Sequence, residues 1–198
     1  MDSNMDNDHD SFQGKTVTML DSPAVNTTKH NHGTHVASIA AGIVNGTTHG
    51  VAPDASLVFS TFDDNGTAQA TDIDTARTTH DAIAMNNSWG YSQNCIGDVC
   101  ESQLEWSEIV SDANANGRNI REELNNRSEH VFGSHTSTYL TALDNFQNNG
   151  VIVWASGNFP NDTDVSALAA LPAYFNGTDD SLDLSDAWLT VMLSLIHI

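Results

Sequence analysis

Short apolar runs alternate with segments of helical period along most of this chain, and that alternation narrows the folds open to it. HGTHVASIAAGIV (32–44) carries small and apolar residues at helical spacing up to Gly42 and predicts a buried helix. ASLVFSTF (55–62) follows the turn signal GVAPD and stops at Asp-Asp-Asn-Gly, as a short strand does. DIDTARTTHDA (72–82) is helix-like, and IAMNNSW (83–89) reads as a strand whose polar end, Asn86-Asn87-Ser88, should emerge from the carboxyl edge of a sheet. TSTYLTALDNFQNNG (136–150) predicts a helix ended by glycine, and VIVWASGN (151–158) an apolar strand entering a Gly-Asn turn. The order predicts an α/β domain with a mostly parallel sheet and ligands at its carboxyl edge. Residues 91–137 are polar and irregular, apart from some helical period in QLEWSEIVSDA, and read as an insertion on that scaffold.

The 198 residues, 39% of them hydrophobic, suffice for one domain with a real core. No apolar run approaches the roughly 20 residues a membrane helix needs. Six basic residues against 26 acidic ones give a formal charge of -20, which repels phosphate backbones and anionic lipid and argues against nucleic acid and membrane surfaces as partners. Such acidity reads as the solvated surface of a secreted or salt-adapted protein. Cys95 and Cys100 have four residues between them, a spacing open to a small disulfide loop in an oxidising compartment or to two free thiols. Neither the C-x-x-C redox spacing nor a zinc ligand set accompanies them. No basic segment and apolar stretch of a signal peptide precede the first motif, so an exported protein would have its start outside this sequence.

HGTHVA (32–37) resembles the histidine motif of the subtilase family of serine endopeptidases, where the first histidine is the general base at a helix start. DSNMDNDH (2–9) is similar to the family's aspartate motif, D-[ST]-G-[IV]-D followed by a histidine, with Asp2, Ser3, Asp6 and His9 in register and Asn4 in place of the usual glycine. VIVWASGN resembles the family's V-V-A-A-G-N segment, whose last residue, Asn158 here, donates its amide to the oxyanion. GVAPDASL (50–57) and NNSWG (86–90) match further landmarks in the family's order.

This resemblance implies a subtilisin-like three-layer α/β/α fold and peptide-bond hydrolysis through an Asp-His-Ser triad. A serine hydroxyl is a weak nucleophile at neutral pH, so an imidazole must take its proton and a carboxylate must hold that imidazole in one tautomer. Asp2 and His32 would fill those roles, and Asn158, by itself an ordinary turn residue, would stabilise the negative oxygen of the tetrahedral intermediate. By the same resemblance Ser88, Trp89 and Gly90 would pair with the substrate main chain, with Trp89 walling a subsite. Ala155, Ser156 and Gly157 would line the primary specificity pocket.

The family's nucleophile sits in G-T-S-M-[AS]-x-P, and no such segment occurs in the 198 residues. FGSHTS (132–137) is the nearest, but it precedes Asn158 and lacks the following Met and Pro. The expectation is a partial peptidase domain over residues 1–191, incomplete at both ends and inactive alone, with 192–198 a non-native tail. The rival expectation is a peptide-binding relative that kept the groove without the serine. LPAYF followed by AWLTV is similar to subtilases of the bacterial autotransporter type, which places the protein outside the cell or at its surface. Catalysis of this kind needs no cofactor. Structural calcium is common in the family, although Ser11 stands where an aspartate often supplies a ligand. His30, His32 and His35 could be read as a metal cluster, but no H-E-x-x-H glutamate accompanies them and no metal site is assigned. The expected partners are polypeptide substrates, and the expected state is a monomer.

Overall fold

A computed structural model describes residues 1–2, 4–20, 31–44, 48–61, 65–89, 92–96, 99–127, 131–157, 165–178 and 180–191, with side chains omitted for 31, 44, 48 and 92–103. The chain divides into two compact units, Met1–Asp63 and Asp64–Ile198. Both mix helices with parallel strand pairs, so the fold class is α/β.

The first unit holds a two-stranded parallel sheet of β1 (Val17–Met19) and β4 (Leu57–Phe59), in the register Val17 to Leu57. Helix α1 (Asn31–Ala41) lies between them in sequence, followed by the antiparallel pair β2 (Ile43–Val44) and β3 (Thr48–His49). The core is small: Met5, Phe12, Ala37 and Phe59 are buried together, with Val17, Met19 and Leu57 packed against them. How α1 ends is informative, because the last carbonyls of a helix have no partner within it. Here the Gly50, Val51 and Ala52 amides donate to the Gly42, Ile39 and Ala40 carbonyls at 2.8, 2.9 and 2.8 Å. A side chain at Gly50 would run into the Ala41 and Gly42 backbone, so the glycine of GVAPD lets the returning chain cap the helix.

The second unit is built on a three-stranded parallel sheet in the order β5 (Ala84–Asn87), β8 (Val151–Ala155), β9 (Trp188–Val191). Helix α2 (Gly66–Thr79) buries Gly66, Gln69, Ala70 and Ile73, the i, i+3, i+4, i+7 stripe of a helix with one covered face, and packs on α5 (Thr136–Gln147). Asn65 caps α2 by accepting from the Thr67 and Ala68 amides, so the helix starts earlier than its apolar period suggested. Buried Gln147 ties α5 to the approach to β9: its Nε2 donates to the Asp183 carbonyl and its Oε1 accepts from the Ala187 amide.

The stretch that reads as irregular is more ordered than its composition indicates. It holds an antiparallel hairpin, β6 (Ser92–Ile96) and β7 (Val99–Gln103), then α3 (Trp106–Asn116) and α4 (Ile120–Asn126). Helix α3 turns Ile109 and Ala113 inward, and α4 opens on an Asn119–Glu122 capping box. The asparagines of ANANGRN, which look like loop residues in a linear reading, sit at one helix's end and the next one's cap.

Candidate active site

Asp2 is placed by its own backbone. Its amide donates to the Ser60 carbonyl at 3.2 Å, and it forms a parallel bridge with Thr61, just beyond the end of β4. Its side chain is only 3% exposed. His32 occupies the first turn of α1, where four amides lack helical partners, and its ring is 57% exposed. The two meet at 2.6 Å, His32 Nδ1 to Asp2 Oδ1. A carboxylate can only accept, so Nδ1 is the donor in this contact, and the neutral imidazole in that tautomer has its lone pair on Nε2.

Two further contacts within the first unit stitch the aspartate motif to the histidine motif. The Asp6 amide donates to Thr34 Oγ1 at 2.9 Å. Gly33 packs so closely on the Asn4 carbonyl that a Cβ there would collide with its oxygen and crowd the Phe59 ring. Asn4 itself has φ +31°, a left-handed conformation that asparagine tolerates and glycine adopts freely, which accounts for the glycine usual at this place in the motif. Its side chain accepts from the Met5 amide. His9 is a capping residue: its Nδ1 accepts from the Ser11 amide at 3.2 Å and lies 3.1 Å from Ser11 Oγ, so the Ser11 hydroxyl is already engaged. Among the described residues no three His, Cys, Asp or Glu side chains converge to hold a metal ion.

In the second unit the strand register brings the two stretches expected to bind substrate side by side. Asn87 lies opposite Trp154 in the β5–β8 pair, so Ser88-Trp89 and Ala155-Ser156-Gly157 leave adjacent strands at the same, carboxyl, edge. Ser156 is buried and its main chain is committed to the scaffold, donating to the Val191 carbonyl and accepting from the Ser166 amide. Gly157 follows with φ +112°. Ser88 Oγ accepts from Asn86 Nδ2 at 2.9 Å. Trp89, expected to wall a subsite, has its ring buried against Trp154, since an indole this large gains from that apolar contact. Asn158 and Gly90 lie outside the described residues. The hairpin register sets Cys95 opposite Cys100, and their side chains lie outside the described residues. Linear reading missed the tethers: Gly33, Gly50 and Trp154 carry no chemistry, and their roles arise only from what packs on them.

A buried carboxylate holding the Nδ1–H of a histidine at a helix start, on an α/β scaffold, has the geometry of the acid–base half of a hydrolase that works through an activated nucleophile. The chain belongs to the subtilase family, whose model matches residues 1–193. It is also similar to two extracellular serine proteases of Serratia marcescens, each 28% identical over 190 and 191 residues, in alignments covering 84% of this chain. The chain spans 17% of the length of those curated relatives. No solved structure matches it.

Proposed function

We propose that this chain is part of a serine endopeptidase exported from the cell. The observation that carries the reading is the 2.6 Å contact between His32 Nδ1 and buried Asp2. In this reading His32 Nε2 takes the proton of an attacking serine and returns it to the leaving amine, while Asp2 holds the tautomer and steadies the imidazolium. Asn158 donates to the oxyanion. The substrate main chain lies along Ser88–Gly90, and the side chain preceding the cleaved bond enters a pocket bounded by Ala155, Ser156 and Gly157. No G-T-S-M-[AS]-x-P segment occurs in the 198 residues, so in this reading the chain alone hydrolyses peptides at background rate and the attacking serine comes from outside it.

The extracellular relatives and the acidic surface support export, and the opposed cysteines support a Cys95–Cys100 disulfide in an oxidising compartment. None of the helices among the described residues is long and apolar enough to cross a membrane. The test is to extend the open reading frame and react the longer product with a fluorophosphonate. Labelling of a serine, lost in His32→Ala together with about 10⁴- to 10⁶-fold of peptidase activity, as when a triad member is removed from subtilisin, is the expected result. A longer product with the Asp2–His32 pair intact that neither labels nor cleaves would instead make it a peptide-binding relative.

A further inference from the structure

Trp89 is held at both ends by residues that the catalytic reading does not use. Its indole Nε1–H donates to Asn87 Oδ1 at 3.3 Å, and its carbonyl accepts from the indole Nε1–H of Trp154 at 3.1 Å. The rings of Trp89 and Trp154 meet at 5.4 Å and 53°, and Trp154 stacks in turn on Trp188 at 5.4 Å and 4°. Asn87 is 1% exposed and Trp154 is fully buried, and the strand register sets them opposite each other. One cross-strand pair therefore grips one residue, by its side chain from β5 and by its main chain from β8.

Breaking a buried hydrogen bond is costly, and although Asn87 Nδ2 is itself buried without a partner, the indole donors of Trp89 and Trp154 are both satisfied, which holds Trp89 to one arrangement. What it pins is the middle of Ser88-Trp89-Gly90. We infer that Asn87 and Trp154 are positioning residues that fix this segment for main-chain recognition of a polypeptide substrate. The inference rests on the proposed role of Ser88–Gly90 and adds the means by which that role is met. With the Trp89 carbonyl engaged by Trp154, recognition falls to other main-chain groups of the segment.

Trp188 supplies the control. It completes the stack, yet its indole nitrogen is buried without a hydrogen-bond partner, so it adds apolar contact and no hold on Trp89.

The test uses the full 198-residue chain and acetyl-tetra-alanine amide, whose small side chains report main-chain binding. Two readouts are taken by NMR: exchange of the Trp89 amide and indole protons, and peptide affinity by titration. Trp154→Phe keeps a ring and removes the donor. It is expected to speed Trp89 exchange and to weaken the peptide roughly three- to tenfold, the scale of one hydrogen bond. Trp188→Phe is expected to leave both unchanged, which a merely structural role for the stack would not allow. Should Trp154→Phe fail to fold, Asn87→Ser, which withdraws the acceptor from the indole, carries the same expectation.

Unchanged Trp89 exchange in the donor and acceptor variants would show that the grip does not exist. Faster exchange with unchanged affinity would show that the grip is real but serves no recognition. If the wild-type chain shows protected Trp89 protons but binds no peptide at millimolar concentration, the substrate-edge reading fails, and the positioning role fails with it.

Discussion

The Asp2–His32 pair and the Ser88–Trp89 segment are held by contrasting means. In the first unit the site is made by backbone approach: a left-handed Asn4, a Gly33 without room for a side chain, and a hydrogen bond from the Asp2 amide to the Ser60 carbonyl, around a core of only a few residues. In the second unit the segment is anchored by bulk, with Trp154 fully buried and Tyr139, Leu140, Leu143 and Phe146 packed behind the sheet from α5. A chemical pair needs two atoms at hydrogen-bond distance, and close backbone contact achieves that with little core. A segment leaving the end of a strand has few main-chain partners of its own, and here a thick apolar support holds it.

The largest expected effect should fall on the second unit. Trp154→Ala removes the central ring and the donor to Trp89, and should cost about 3–5 kcal/mol, read as a lower urea midpoint for loss of indole fluorescence. If the bulk were dispensable, the midpoint would hardly move. Gly33→Ala probes the opposite design. The added methyl meets the Asn4 carbonyl and the Phe59 ring, and should cost the first unit about 1–3 kcal/mol. The His32 Nδ1 proton should also lose its hydrogen-bonded chemical shift. An unshifted His32 signal would mean that the backbone approach does not set the pair.

Acid should act on the second unit through two carboxylates of opposite sign. Arg121 donates to both oxygens of Asp180 at 2.5 and 2.6 Å and holds its carboxyl below the ordinary value of 3.8. That stabilisation is present above the ordinary value and is lost as pH falls through the depressed one, about 1 kcal/mol or less given the exposure of the pair. Asp144 runs the other way: burial, with repulsion from Asp183 and Asp186, raises its carboxyl, so the folded form takes up its proton first and gains stability as pH falls through the raised value. Arg121→Met should therefore flatten the acid limb, and Asp144→Asn should raise the midpoint at neutral pH. Equal pH profiles for wild type and both variants would remove these two groups from the account. The smallest effect is expected from Asn4→Gly, which relieves the left-handed conformation but loses the bond to the Met5 amide, and should stay within about 0.5 kcal/mol.

Much of this was legible in the linear sequence. The periods over 32–44, 83–89, 136–150 and 151–158 correspond to α1, β5, α5 and β8, because a strand or helix with one buried face writes its spacing into its apolar residues. Asp2 and His32, which meet at 2.6 Å, stood out in the sequence because each falls in a motif. The start of α3 was legible in the helical period of QLEWSEIVSDA, but its Asn-rich end and α4 were not, since such a stretch hides caps and a narrow buried stripe. Nor was the inward turn of Trp89, since a tryptophan after a strand reads equally well as wall or as core.

The sequence by itself determined the family, the α/β order and the residue types that meet in the Asp2–His32 pair, all of which depend on local pattern and chemical identity. Only the tertiary structure decided that Gly33 and Gly50 are contact points, that Asn87 faces Trp154, and that Trp89 is gripped from two strands. Those facts depend on which residues distant in the chain share a volume, and neither spacing nor composition carries that information.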